Sequence, residues 1–421
     1  MADQSTQSPP SRPKISIWRI AEFRNLWLAQ SVSLLGTQVT LVAFPLLALL
    51  ALHASALQVS LLATAEFLPA LLLGLPAGAW VERMRRRPVL ITADVVRAVA
   101  VASVPIAGLL HVLSLGLLYV VAFIVGLGTL FFDVAQLSYL PALVDEDRLA
   151  DGNAKLESSR SLAQLAGPSV GGFLVQLFTA SAAIAANVAT YLVSALLLGF
   201  VRGTAGEPEP IEQLGLRKEI GDGIRFVFAH PVIRPLALAA CAADLAFAAI
   251  LALQVLYGAQ TLHLSPGAIG IVLAVGNAGG LLGAWLSGPI VRRLGAGGSV
   301  LTSIALFTIG AAILPLATGA IGFGIGLFVV YVGVVVFNIQ QVTLCQTLTP
   351  TRLLGRMNAT LRFITWGMVP LGATIGGVLV GPLGLRGVLW AAAAVCAVSL
   401  VAPLFSPLRS TTAELTSEVT A

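Results

Sequence analysis

Long stretches of this 421-residue chain carry no Asp, Glu, Lys or Arg. None occurs between Arg24 and Glu66, Arg97 and Asp133, Arg160 and Arg202, Asp244 and Arg292, or Arg293 and Arg352. A helix crossing the hydrocarbon core of a bilayer needs about 20 predominantly apolar residues. Each interval is long enough for one or two crossings. Barrel strands would be shorter and would alternate polar with apolar residues, and no such alternation is present. Composition excludes a water-soluble fold: 57% of residues are hydrophobic and 10% charged, where soluble domains run near one-quarter charged. The expected fold class is an all-α integral membrane protein.

Twelve transmembrane helices are read at 27–51, 57–80, 89–111, 115–139, 158–178, 181–201, 235–258, 266–290, 298–318, 321–346, 360–382 and 387–406. Basic residues gather at alternate connections, densest at Arg83, Arg85, Arg86 and Arg87, while the opposite connections hold only Arg386. The positive-inside rule then places both termini in the cytoplasm, in a multi-pass protein of the cell membrane. The net charge of +5 follows this topology, so no nucleic-acid partner is expected. Residues 1–26 read as a cytoplasmic N-terminal segment, 27–202 as one six-helix bundle and 203–234 as a cytoplasmic linker. Residues 235–406 read as a second bundle and 407–421 as a cytoplasmic tail. The linker opens with Gly206-Glu-Pro-Glu-Pro210 and carries a charged amphipathic piece from Leu216 to Phe228.

The two bundles match one another. Residues 210 apart pair Arg24-Asn-Leu26 with Arg234-Pro-Leu236, and Gly78 and Arg83 with Gly288 and Arg293. Residues 205 apart pair Phe132-Asp133 with Phe337-Asn338, Asn153-Ala-Lys-Leu156 with Asn358-Ala-Thr-Leu361, and Gly171-Gly172 with Gly376-Gly377. Matches in order, at nearly constant offset and at equivalent spans, indicate a duplicated six-helix unit. Two parallel six-helix halves are a known transporter architecture.

Gly78-x-x-x-Glu82-Arg83-x-x-Arg86-Arg87 resembles the loop motif between helices 2 and 3 of the major facilitator superfamily, usually G-x-L-a-D-R-x-G-R-R. Glu82 stands where Asp is usual and Arg85 where Gly is usual. Gly167-Pro168-x-x-Gly171-Gly172 resembles the antiporter motif of exporters in helix 5, with Ala163 in place of an earlier Gly. The phrases FRNLWLAQSVSLLGTQ (23–38), FFDVAQLSYLPALV (131–144) and IRFVFAHPVIRPL (224–236) resemble the branch of enterobactin exporters and macrolide efflux pumps. The resemblance implies that helices 1, 4, 7 and 10 line a central cavity, and that helices 2, 5, 8 and 11 lie between the halves. It also implies that the Glu82 carboxylate caps helix 11 across the interface and that the loop acts as a gate.

Ionisable side chains singled out within the spans are Glu66, Asp94, Arg97, Asp133 and Asp244. A charge at membrane depth costs about 2.5–3.5 kcal/mol on insertion scales, so each calls for a partner or a task. Asp94 and Arg97 share one helix face at i, i+3 spacing and read as a structural ion pair. Asp133 has Arg160 nearby, and reads equally as a structural pair or a coupling site. Asp244 sits about 13 Å into its helix with no basic residue within a turn, and Glu66 is similarly isolated. An unpaired carboxyl in a low dielectric favours its neutral form until a cavity wets it. This suits carriage of one proton per cycle, with Asp244 favoured over Glu66 and Asp133. The bland reading is a protonated carboxyl bonded to a backbone carbonyl.

Gln30, Gln38, Phe131, Asn338 and Gln341 are candidates to face substrate; the competing role is packing or hydrogen bonding between helices. Cys241, Cys345 and Cys396 lie in apolar spans with no disulfide or metal-site spacing. No Walker loop or catalytic triad is present, so no enzyme activity, cofactor or metal is expected. The expected function is a proton-coupled exporter of small amphiphilic compounds such as drugs or siderophores, working as a monomer. The alternatives are an importer on the same fold and a transport-inactive membrane sensor.

Overall fold

The computed structural model describes residues 16–201, 216–350 and 353–406. Some side chains inside these ranges, that of Glu82 included, lie outside the described set, as do the tail 407–421 and much of 1–26 and 203–234. The described residues form helices α1 (Ala21–Leu52), α2 (Ala56–Glu82), α3 (Arg86–Leu109), α4 (Leu115–Leu143), α5 (Glu146–Leu177) and α6 (Ala180–Gly199). They continue as α7 (Leu216–Ala229), α8 (Ile233–Leu256), α9 (Pro266–Leu316), α10 (Ala320–Thr347), α11 (Leu354–Ser399) and the short α12 (Val401–Leu404).

Nine stretches among the described residues are long and apolar enough to cross a membrane. Two of them, Pro266–Leu316 and Leu354–Leu404, are twice the needed length. Each reverses at a single glycine of positive φ, Gly295 in α9 and Gly384 in α11, both at φ 69°. Each therefore holds two spans. α5 supplies the twelfth, its polar N-terminal part lowering its hydropathy. The chain is an all-α membrane protein of two six-helix bundles. Helix ends depart from the sequence reading where polar residues extend a helix past the apolar core. α1 begins at Ala21 and α5 at Glu146, the latter with Lys155 paired to Asp151 at 3.4 Å across one turn.

Because spans alternate in direction, one end of the molecule carries the Arg83–Arg87 turn and the far end carries the turns at 53–55, 110–114, 178–179 and 262–265. Three far-end turns share one local solution. His53, His111 and His263 take left-handed backbone (φ 49°, 58° and 52°), a region histidine enters more readily than most residues. A serine two or three residues later then caps the next helix. Ser55 Oγ accepts from Gln58 N while Gln58 Oε1 accepts from Ser55 N at 2.8 Å, a reciprocal capping box. Ser114 and Ser265 accept from Leu117 N and Ala268 N, both at 3.3 Å. In the first bundle α1 packs on α5 and α6, α3 on α4 and α6, and α2 on α4. α8 packs on α11, and α9 on α10.

At the arginine-bearing end Trp18 meets Trp27 edge-on at 4.9 Å, with Lys155 Nζ 5.1 Å above the Trp18 ring. The interfacial aromatics thus fasten the start of α1 to α5. Arg87 donates to the last carbonyls of α6, to Leu198 O at 3.0 Å and to Gly199 O. A guanidinium there satisfies orphan acceptors and opposes the negative end of the helix dipole.

Candidate functional site

The two bundles meet along two seams, α5 with α9 and α2 with α11. In the first, Gln176 Oε1 accepts from Gly267 N at 2.9 Å, Ser169 Oγ donates to Gly270 O at 3.3 Å, and Asn277 Nδ2 donates to Gln164 O at 2.5 Å. In the second, Thr64 Oγ1 bonds Thr374 Oγ1 at 2.9 Å and donates to Pro370 O at 3.3 Å. These bonds run from the far end to mid-depth.

The Gly-Pro motif in α5 serves two neighbours. Gly167 and Gly171 pack on Gln38 and Val39 of α1, and a Cβ on Gly171 would sit 3.0 Å from Val39 Cα. Gly172 and Pro168 pack on Gly270 of α9. Small residues here let helix backbones approach closely. Toward the arginine-bearing end, Gly74 and Gly78 of α2 and Gly355 of α11 face open space. The hydrogen bonds between the halves among the described residues thus lie from the far end to mid-depth.

Asp244 and Glu66 stand on helices of opposite halves, α8 and α2, both half-buried. Neither side chain makes an ion pair or hydrogen bond to a described residue. Next to Asp244 on α8, Phe247 meets Tyr331 edge-on at 5.5 Å and Phe307 at 6.2 Å. Asp133 is different. Its Oδ1 lies 3.7 Å from Arg160 Nη2, with the two side chains 40% and 35% exposed, so water screens this pair heavily. Arg160 also reaches Glu157 Oε2 at 3.9 Å.

Arg362 stands on α11, in the other half. Arg362 is exposed and lies 5.1 Å above the Trp366 ring. The sequence reading passes over Arg362, although it falls inside the expected span 360–382. The 205-residue offset would have found it, since its repeat partner is Glu157.

Asp94 and Arg97 form a closed cluster. Arg97 Nη2 donates to Asp94 Oδ1, and Ser194 Oγ donates to Asp94 Oδ2 at 2.5 Å. Ser33 Oγ lies at the limit of bonding distance, 3.5 Å, from both. The Arg97 guanidinium also donates to Thr129 Oγ1 at 3.3 Å and lies between the rings of Phe132 and Tyr191, at 4.7 and 4.5 Å. Four helices, α1, α3, α4 and α6, are joined by this one pair.

The remaining candidates separate. Gln30 is buried with Oε1 unpartnered among the described residues. Gln38 is half-buried against α5, Gln341 is buried, and Asn338 is exposed. Gln340, beside Gln341, donates to Ser287 Oγ at 2.9 Å. Phe131 stacks on Trp80 at 6.4 Å. It lies two residues from Asp133 and so on the opposite face of α4. Of the loop residues, Arg83 is exposed, Arg86 half-buried and Arg87 engaged within its own half. The Glu82 side chain lies outside the described set.

Two six-helix membrane bundles that meet along two seams have the architecture of a secondary transporter. The family model of the Major Facilitator Superfamily matches residues 26–368, and the chain belongs to that family. It is a membrane transporter and not an enzyme. It is 28% identical over 365 residues to the multidrug efflux pump Tap of Mycolicibacterium fortuitum, covering 83% of this chain and 87% of that one. It is 27% identical over 189 residues to macrolide efflux protein A of Streptococcus pyogenes, covering 45% and 46%. These relatives agree with the efflux branch that the sequence phrases resemble. Among solved structures, a bacterial homologue of the iron transporter ferroportin in its inward-facing state superposes with a TM-score of 0.74 at 20% identity, covering 93% of this chain and 99% of that one. A bacterial homologue of ferroportin in its outward-facing state gives 0.60 at 18% identity, covering 91% and 98%. At such identities the likeness is one of fold, and no group of three metal-ligating side chains occurs among the described residues.

Proposed function

We propose that the chain is a proton-coupled exporter of small amphiphilic compounds, drugs or siderophores, working as a monomer in the cell membrane by alternating access. The rocking units are residues 27–202 and 235–406, joined by 203–234, with both termini cytoplasmic. The efflux relatives support the export direction and the drug-like substrate class.

The observation that carries the proton coupling is the isolation of Asp244 and Glu66. Each is a carboxyl on an apolar span with no partnering cation or hydrogen bond among the described residues. A bare carboxylate at that depth is costly, so closure of the cleft favours proton uptake and wetting favours release. Asp244, on the seventh span, is the first choice for coupling and Glu66 the second. Asp133 is less suited, because it is not isolated: Arg160 stands 3.7 Å from it. With Arg362 across the cleft it serves the gate at the arginine-bearing end, together with the turn of Gly78, Glu82, Arg83 and Arg86. The open end corresponds to an inward-facing state. Gln38, Asn338 and Gln341 remain candidates for orienting substrate, and buried Gln30 for holding α1.

Everted vesicles from cells expressing the protein test this reading. A panel of antibiotics, dyes and siderophores is offered under an imposed pH gradient, acidic inside. Accumulation of at least one compound, lost when the gradient is collapsed, is the expected result. Gradient-dependent loss of preloaded compound would instead identify an importer.

A further inference from the structure

A groove of about 510 Å3 lies on the outside of the first bundle, on the side of α4 away from Asp133 and hence away from the cleft. Its wall follows α3 through Arg85, Pro88, Thr92 and Val96, and its floor includes Leu127 and Phe131 of α4. Arg85 is the one charged residue in the lining. From Arg85 to Val96 is eleven residues, about 16 Å along the helix. Half of a 30 Å hydrocarbon core is about 15 Å. The groove therefore starts at a guanidinium at the membrane surface and ends near the bilayer midplane.

Among the described side chains lining the groove, charge has one sign. Arg83 and Arg85 are exposed. The first turn of α3 contains no acidic residue, and no side chain caps its N-terminus. That leaves the amides of Arg86 and Arg87 available to an anion, Pro88 having no N–H. Val96 and Thr92 expose apolar and methyl surface along the same line. A free anion would gain nothing from this apolar floor, and a neutral lipid would gain little from the mouth.

We propose that the groove binds an anionic phospholipid, with its phosphate at Arg85 and one acyl chain lying along α3 over Leu127 and Phe131. The site lies outside the transport cleft and goes beyond the export reading. Its occupant is drawn from the leaflet on the arginine-bearing side.

Native mass spectrometry of the full-length protein in mild detergent tests the proposal, with phosphatidylglycerol and phosphatidylcholine of matched chains supplied at equal concentration. Wild type is expected to retain phosphatidylglycerol about fivefold over phosphatidylcholine, the discrimination one surface arginine supplies. Arg85→Gln should remove the preference. Thr92→Trp, which fills the groove, should lower retention of both lipids, and Arg292→Gln in the other half should change neither. Glycerol phosphate at millimolar concentration should not displace the lipid. Equal retention of both lipids by wild type overturns the proposal. So does a preference unchanged in both groove variants, or displacement by glycerol phosphate or by a transported drug.

Discussion

Asp94 and Arg97 show what one ion pair inside a helical bundle demands. Both are essentially inaccessible to solvent, and every charged oxygen of Asp94 has a donor. Removing one partner strands the other charge, which for a buried pair costs about 3–5 kcal/mol. Asp94→Ala is therefore expected to lower the unfolding midpoint of the detergent-solubilised protein sharply. The double variant Asp94→Ala with Arg97→Leu should recover most of the loss; a double variant as unstable as the single one would show that the cluster, and not the stranded charge, carries the stability. Helical spacing alone makes the pairing of Asp94 with Arg97 legible. Ser33 and Ser194 are not legible, because they stand 61 and 100 residues from Asp94 and come from other helices. Arg362 was open to view inside an expected span, and the repeat sets it opposite Glu157.

At the scale of elements, the reversals in α9 and α11 are the least expected feature. The sequence reading leaves linkers at 291–297 and 383–386, whereas helix continues through both apart from one glycine in each. A one-residue reversal has no polar run to announce it. Gly295 holds φ 69° and ψ 174°, a region nearly closed to residues with a Cβ, at a cost of about 1–3 kcal/mol. Gly295→Ala should destabilise by that amount in thermal unfolding, while Gly288→Ala, in helical backbone where a Cβ would meet only the flexible end of Arg292, should cost less.

The entry to α8 carries a titratable cap. His230 Nδ1 accepts from Val232 N and Ile233 N, both at 3.2 Å, and burial lowers its pKa below the usual 6.5. The neutral ring is the one that accepts. Its contribution is thus fully present above the unfolded value and is lost as pH falls through the lowered folded value. Stability should fall between pH 8 and pH 5, and less so in His230→Asn, which keeps an acceptor that does not titrate. Equal pH dependence in the two proteins would rule the cap out as its source.

For the whole molecule, span number, duplication and the family's seams were all legible, because charge is expensive in lipid and its absence marks the spans. Which end stands open was not legible. Both states of an alternating-access protein use the same helices and differ only in which half-seam is formed. Here the far-end bonds at Thr64, Ser169 and Gln176 are made, while the turn at Gly78 faces open space. Spin labels on Glu157→Cys and Arg362→Cys, on equivalent helices of the two halves, should therefore report one distance in the resting state. They should report a shorter one when the cleft opens to the far side. A single unchanging distance under substrate and pH gradient would exclude rocking of the halves.

The proposed coupling rests on the two isolated carboxyls, and it is tested most directly by proton movement. The protein is reconstituted in liposomes enclosing a pH-sensitive dye, and a compound identified as a substrate is added. Wild type should move protons against the substrate flux, and Asp244→Asn combined with Glu66→Gln should bind the compound yet move no protons. Undiminished substrate-driven proton movement in that double variant would contradict the assignment.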